Sequence, residues 1–117
     1  DPDWSPDGNQ ILYSRFFDNN WDLWVIDLRE EHFMPYRLTK DPAADLLPSY
    51  SPHGSEIAFF SVRDGDSAIW IIDSRGEDYG KVKLVSQVRP FKPNWSPDGS
   101  KITFCRWDRI WVISGLE

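Results

Sequence analysis

Pro2-Asp3-Trp4-Ser5-Pro6-Asp7-Gly8 returns as Pro48-Ser49-Tyr50-Ser51-Pro52-His53-Gly54 and again as Pro93-Asn94-Trp95-Ser96-Pro97-Asp98-Gly99. The three copies lie 46 and then 45 residues apart. A fixed period in this range marks a protein built from stacked repeats. The phrase carries its own turn mechanism. Pro presets φ for the second position of a type I turn, Asp bonds back to the backbone, and Gly accepts the positive φ that follows. His53 stands where the other copies have Asp, so the carboxylate is not required for the turn.

Working outward from the three glycines, the repeat continues with Ile11-Leu12-Tyr13-Ser14, Ile57-Ala58-Phe59-Phe60 and Ile102-Thr103-Phe104-Cys105. Next come Leu23-Trp24-Val25-Ile26, Ile69-Trp70-Ile71-Ile72 and Ile110-Trp111-Val112-Ile113. Each run is short, β-prone and apolar at both parities, which describes a strand covered on both faces. A third, more charged run follows twice, at Tyr36-Arg37-Leu38-Thr39 and Val82-Lys83-Leu84-Val85. Its mixed character suits an edge strand. The third repeat stops before this strand is reached. The third hairpin is also four residues shorter, a loss expected at the loop tip because tips tolerate deletion.

The expected fold is all-β: propeller blades, each a four-stranded antiparallel meander, with two whole blades and a third lacking its outer strand. The expected segments of this single propeller unit are 1–45, 46–90 and 91–117. A β-helix has shorter rungs than this period. No helix is expected, and residues 30–34 are read as loop.

Bulk properties narrow the function classes. Of 117 residues, 40% are hydrophobic and 27% charged, a globular balance. Seven Trp and an aromatic content of 15% suit packed sheets. The net charge of −6 offers no basic face to displace counterions, which argues against nucleic-acid binding. No apolar run approaches the roughly 18 residues of a membrane span. The chain does not begin with Met and shows no signal peptide, so it is expected to be a processed product or an excised piece. The single Cys105 forms no intramolecular disulfide and says nothing of compartment.

Sites of chemistry are sparse. There is no Gly-x-Ser-x-Gly nucleophile elbow and no His-Glu-x-x-His zinc helix. His32 and His53 read as loop residues. The oxygen-rich stretches Asp18-Asn19-Asn20 and Asp64-Gly65-Asp66, with Asp41, have calcium-type donors without a calcium-loop spacing, so turn roles are expected. No cofactor or metal is expected. Trp24, Trp70 and Trp111 share one repeat position and read as core. Trp4, Tyr50 and Trp95 share another and read as packing residues. Asp27 and Asp73 recur after the third strand and read as turn caps. Trp21 and Trp107 fall outside these columns, on the hairpin between the second and third strands. Arg15, Phe16, Phe17 and Arg106 lie on the same hairpins. Aromatics with Arg beside them are typical of interface hot spots, so these six are the candidate partner-binding residues, with packing on a neighbouring blade as the alternative.

The quoted phrase, together with Trp24-Val25-Ile26-Asp27, Arg37-Leu38-Thr39 and Ile69-Trp70-Ile71-Ile72-Asp73, resembles the WD40-like PD40 repeat of TolB-type β-propellers. The resemblance covers nearly the whole chain. It implies a non-catalytic module for protein–protein interaction in a periplasmic or other extracytoplasmic location, with cytoplasm left open. It equally admits the gating propeller of a prolyl-oligopeptidase-type serine peptidase that lacks its catalytic domain here. TolB-type propellers usually have six blades. Three blades imply either a homodimer that completes six or a segment of a longer propeller.

Overall fold

A computed structural model describes residues 2–116. Three antiparallel sheets follow one another along the chain. Blade 1 holds β1 (Asp3–Trp4), β2 (Gln10–Phe17), β3 (Asn20–Asp27) and β4 (Tyr36–Arg37). Blade 2 holds β5 (Asp45–Tyr50), β6 (Glu56–Ser61), β7 (Ala68–Asp73) and β8 (Lys81–Ser86). Blade 3 holds β9 (Asn94–Trp95), β10 (Lys101–Arg106) and β11 (Arg109–Ser114), without a fourth strand among the described residues. Strands pair in sequence order within each sheet, which is the meander the repeat implies. Single 3₁₀ turns occur at Arg63–Gly65 and Glu77–Tyr79, and residues 28–35 form a loop.

The repeated phrase folds the same way three times. Gly8, Gly54 and Gly99 each donate their N–H to the Ser carbonyl three residues earlier at 2.9 Å, with φ of 76–79°. The Ser5 hydroxyl donates to Asp7 Oδ1 at 2.7 Å and accepts from Gln10 N at 2.9 Å. Ser96 and Asp98 repeat this in blade 3. Asp7 Oδ1 also accepts from Asn9 N, and Asp98 Oδ1 from Ser100 N. His53 supplies no such acceptor, so of the side-chain bonds the middle turn keeps that from Glu56 N to the Ser51 hydroxyl, at 3.1 Å, beside its backbone bonds. The turns also stack, with Pro6 against Gly54 and Pro52 against Gly99.

Two cores lie in the seams between blades. In the first, Leu12, Leu23, Val25 and Leu38 of blade 1 and its following linker meet Tyr50, Ile57, Phe59 and Ile72 of blade 2. In the second, Ala58, Phe60, Ile69 and Ile71 on the other face of blade 2 meet Ile102 and Phe104 of blade 3. Cross-strand register explains the division. Ile57 pairs with Ile72 and Phe59 with Trp70 on one face, while Ala58 pairs with Ile71 and Phe60 with Ile69 on the other. Blade 2 is therefore apolar at both parities because both its faces are covered. Each fully buried Leu, Ile or Phe contributes roughly 1.5–3 kcal/mol.

The shortened third hairpin departs from expectation. Blades 1 and 3 both use a two-residue connection, Asp18-Asn19 and Trp107-Asp108, with all four residues at φ of 52–67°. The missing residues come from the strands: β2 and β3 have eight residues each, β10 and β11 six each. Taking two residues from each strand preserves which side chains face the core, whereas an odd loss would invert every one. Blade 2 spends the equivalent length on its loop at residues 62–67.

Candidate interaction surface

Repeat equivalence sorts the six candidate residues. Arg15 and Phe17 lie on the face of blade 1 that carries Trp24. Their equivalents in blade 2 are Ser61 and Arg63, both buried in the seam with blade 1. Arg15 and Phe17 thus occupy seam positions. Arg106, the blade 3 equivalent of Arg15, is used within its seam: its guanidinium donates to the carbonyls of Ser86 and Gln87 at the end of blade 2. Phe16 and Trp21 face the other way and touch each other with ring centroids 5.6 Å apart. They are 56% and 42% exposed although blade 2 is present on that side. Their hairpin neighbour in the next blade, Val62, is also exposed. Trp107, at the tip of the third hairpin, is 65% exposed. Phe16, Trp21 and Trp107 are therefore presented at hairpin tips along one rim, and Arg15 and Arg106 are drawn into blade faces; Phe17, 46% exposed, lies edge-on to Trp24 on the face of blade 1 that no described blade covers.

The repeated Trp position behaves unevenly. Trp24 is 8% exposed, covered by Arg15 at 4.4 Å and Arg37 at 5.4 Å from the ring centroid, with Phe17 edge-on at 5.4 Å. Trp70 has Arg63 at 5.6 Å and Lys83 at 5.9 Å. Trp111, expected in the core, is instead 39% exposed. Among the described residues blade 3 has no outer strand to bring a cation over this indole, which meets Trp107 edge-on at 6.2 Å and donates its N–H to the Arg106 carbonyl at 3.1 Å. Trp4 likewise departs from expectation at 60% exposure. Tyr50 and Trp95 pack against the preceding blade, and the Trp95 indole donates to the Ser49 carbonyl at 3.1 Å. Among the described residues no blade precedes Trp4.

The seam between blades 1 and 2 holds a buried ion cluster that no local motif announces. Arg63 is 3% exposed. Its Nε and Nη2 donate to Asp45 at 3.2 and 2.8 Å, and its Nη1 lies 2.6 Å from Glu77 Oε1. The guanidinium also covers the Phe59 ring at 5.3 Å. Burial disfavours the Arg63 charge, but the Asp45 and Glu77 carboxylates outweigh it and hold the group above its ordinary value. Burial pushes the Asp45 carboxyl up despite Arg63. Burial and the Asp45 charge push Asp22 up, with Arg37 at 3.2 Å partly offsetting them. Glu77 Oε2 also accepts from Lys40 N at 2.7 Å, which fastens the blade 2 loop to the linker after blade 1. This arrangement clamps a seam, with Glu77 and Arg37 at its edge lining a shallow cleft of about 180 Å³.

Asp27 and Asp73 cap their turns identically. Each accepts from the backbone and side chain of the Arg two residues on, Arg29 or Arg75. Those hydrogen bonds lower both carboxyls, Asp73 to about 2. Asp18 and Asn19 sit in a left-handed turn, and Asp41 accepts from Ala43 N at 2.9 Å. Among the described residues no group of three or more His, Cys, Asp or Glu is placed to hold a metal ion, and no helix is long and apolar enough to cross a membrane. His32 and His53 are exposed loop residues. Two shallow clefts of about 240 and 180 Å³, one beside β8 and one between β4 and the Arg75–Tyr79 loop, are smaller than the usual small-molecule site of roughly 300 Å³ or more.

Comparison with known proteins agrees with this architecture. The structure of putative TolB from Agrobacterium tumefaciens superposes with a TM-score of 0.82 at 27% identity, over 96% of this chain and 44% of that one. TolB from Acinetobacter baumannii gives 0.80 at 23% identity, over 97% and 29%. An acylaminoacyl peptidase from Pyrococcus horikoshii gives 0.66 at 17% identity, over 98% and 23%, a likeness of fold alone. The chain thus spans less than half the length of these proteins. No curated protein sequence matches. The family model described as the TolB beta propeller domain, PD40, matches residues 1–113, and the chain belongs to that family.

Proposed function

We propose that this chain is a non-catalytic propeller module that binds a protein partner through the hairpin-tip rim carrying Phe16, Trp21 and Trp107. The observation that carries this reading is that Phe16 and Trp21 stay in water on a blade face whose neighbour is already in place. Large aromatics left exposed after packing is complete are what partner surfaces use as anchors. An extracytoplasmic location, implied by the TolB resemblance, accompanies this reading. The open faces of blades 1 and 3 each take a further blade, from a second copy or from a longer polypeptide. Light scattering separates these sources for the isolated chain: twice 13.7 kDa supports the second copy and 13.7 kDa removes it. The gating propeller of a serine peptidase shares the fold, and no residue described here favours it.

The test is site-specific photo-crosslinking from position 107, with exposed position 7 as control, followed by binding of the purified crosslinked partner. Supporting behaviour is a partner captured at 107 and not at 7, whose affinity falls at least tenfold in the Phe16→Ser, Trp21→Ser, Trp107→Asn variant. Unchanged affinity in a folded triple variant overturns the rim assignment.

A further inference from the structure

The cluster in the first seam carries more carboxylates than cations. Asp22 and Asp45 are 1% and 0% exposed. Asp41 and Glu77 stand beside them, so among the described residues four carboxylates meet two guanidinium groups, Arg37 and Arg63. The two buried carboxylates are not held alike. Arg63 grips Asp45 through two hydrogen bonds, at 3.2 and 2.8 Å. Asp22 has Arg37 Nη2 at 3.2 Å and one Asn20 amide nitrogen spread over both its oxygens at 3.3 Å. A buried carboxylate with contacts this long recovers little of the cost of leaving water.

Thr39 sharpens the imbalance. Its buried hydroxyl accepts from Leu23 N at 3.0 Å and has one proton to give. Asp22 Oδ1 lies 3.5 Å from it on one side, and Asp45 is hydrogen-bonded to the same hydroxyl on the other. One O–H cannot serve two carboxylates. A proton on Asp22 resolves the conflict: Asp22 donates to the second lone pair of Thr39 Oγ1, and Thr39 donates to Asp45. The elements around Asp22 all bring charge. Arg15 stands opposite on β2 with its guanidinium over Phe17 and Trp24. Arg37 comes from β4, Asp41 and exposed Lys40 from the linker, Asp45 from β5, Arg63 from the turn after β6 and Glu77 from the turn before β8.

We propose that the first seam is a pH-sensitive joint: Asp22 takes up a proton in mild acid, and the Asp22–Thr39–Asp45 relay this completes tightens blade 1 on blade 2. The second seam has no such joint. By repeat spacing its equivalents of Asp22, Thr39 and Asp45 are Ala68, Val85 and Pro90. Arg106 binds the carbonyls of Ser86 and Gln87 there, which do not titrate.

The sign of the effect follows from burial. Burial, then the Asp45 charge, holds the Asp22 carboxyl above its ordinary 3.8, so the folded chain binds this proton more tightly than the unfolded one. The stability it gives is present in acid and lost as pH rises through the raised value. Asp7, Asp27, Asp73 and Asp98 run the other way: hydrogen bonds lower their carboxyls, and their contribution is lost as pH falls below 3.8.

The test compares the full 117-residue chain with its Asp22→Asn variant by denaturant titration between pH 8 and pH 5. The Asn amide donates to Thr39 as the protonated acid does, at every pH. At pH 8 the unfolding constant of the variant is expected to be about tenfold smaller than that of the native chain. The gap closes toward pH 5, by at most about tenfold per pH unit for one proton. A variant less stable than the native chain at pH 8, or a gap that does not change with pH, overturns the proposal. The carbon-13 shift of the Asp22 carboxyl in the native chain gives a reading that needs no variant. Its titration midpoint is expected above 3.8, and a midpoint at or below 3.8 also overturns the proposal.

Discussion

Trp24 and Trp111 hold the same place in the repeat and have opposite fates. Among the described residues no blade covers the Trp24 side of blade 1, yet Arg15, Phe17 and Arg37 cover the ring. Blade 3 has a neighbour on the Trp111 side, yet the ring is 39% exposed. The difference teaches that this indole is buried by its own blade, through Arg15 and Phe17 of the longer β2 together with Arg37 of the outer strand. Seam packing is a separate matter, carried by Leu, Ile and Phe. Blade completion and blade stacking are thus distinct stabilising events in this chain.

The buried cluster of the first seam offers the hardest test of that separation. Arg63→Met leaves the Asp45 carboxylate buried without its partner and is expected to cost about 3–5 kcal/mol by denaturant titration. Adding Asp45→Leu to the same chain restores most of it, because the unpaired charge has gone. The Trp pair itself comes next. Trp24→Ala is expected to cost about 3 kcal/mol and Trp111→Ala no more than about 1 kcal/mol. Equal costs would break the comparison. Trp107→Asn acts on the hairpin that adjoins Trp111. Trp107 sits at φ 52°, where a bulky residue is strained and Asn is favoured. The substitution is expected to raise stability by up to about 1 kcal/mol by thermal unfolding, with the lost Trp111 contact offsetting part of it. The smallest effect is His53→Asp. It restores the acceptor that Asp7 and Asp98 provide in the other turns and is expected to add about 0.5 kcal/mol. A loss there would mean that His53 packing near Gly99 matters more than the turn bond.

Local chemistry made much of this legible. Ser-Pro-Asp-Gly specifies its turn within a few residues, and apolar runs at both parities announce strands with two covered faces. The roles of Asp27 and Asp73 follow from recurrence. Other features depend on distance in the chain or on pieces in space. Residue spacing shows that the third hairpin is short by four but not that the strands, rather than the turn, give up those residues. Arg63 reads as part of a hairpin turn, and only folding brings it to Asp45 and Glu77. Trp4 and Trp111 belong to packing columns by period, yet burial needs a neighbour blade for one and an outer strand for the other. The six candidate hairpin residues look alike in sequence. Alternation along β2 and β3 separates Phe16 and Trp21 from Arg15 and Phe17, and in blade 3 Arg106 lies on the seam face of β10 while Trp107 is at the tip.

The most direct measurement is residue-resolved amide exchange on the isolated chain. Among the described residues β7 is bonded on both edges and packed on both faces, whereas β11 is bonded on one edge and open on one face. The account predicts the slowest exchange in Ala68–Asp73 and exchange faster by orders of magnitude along the outer edge of Arg109–Ser114. Protection of β11 equal to that of β7 would contradict it.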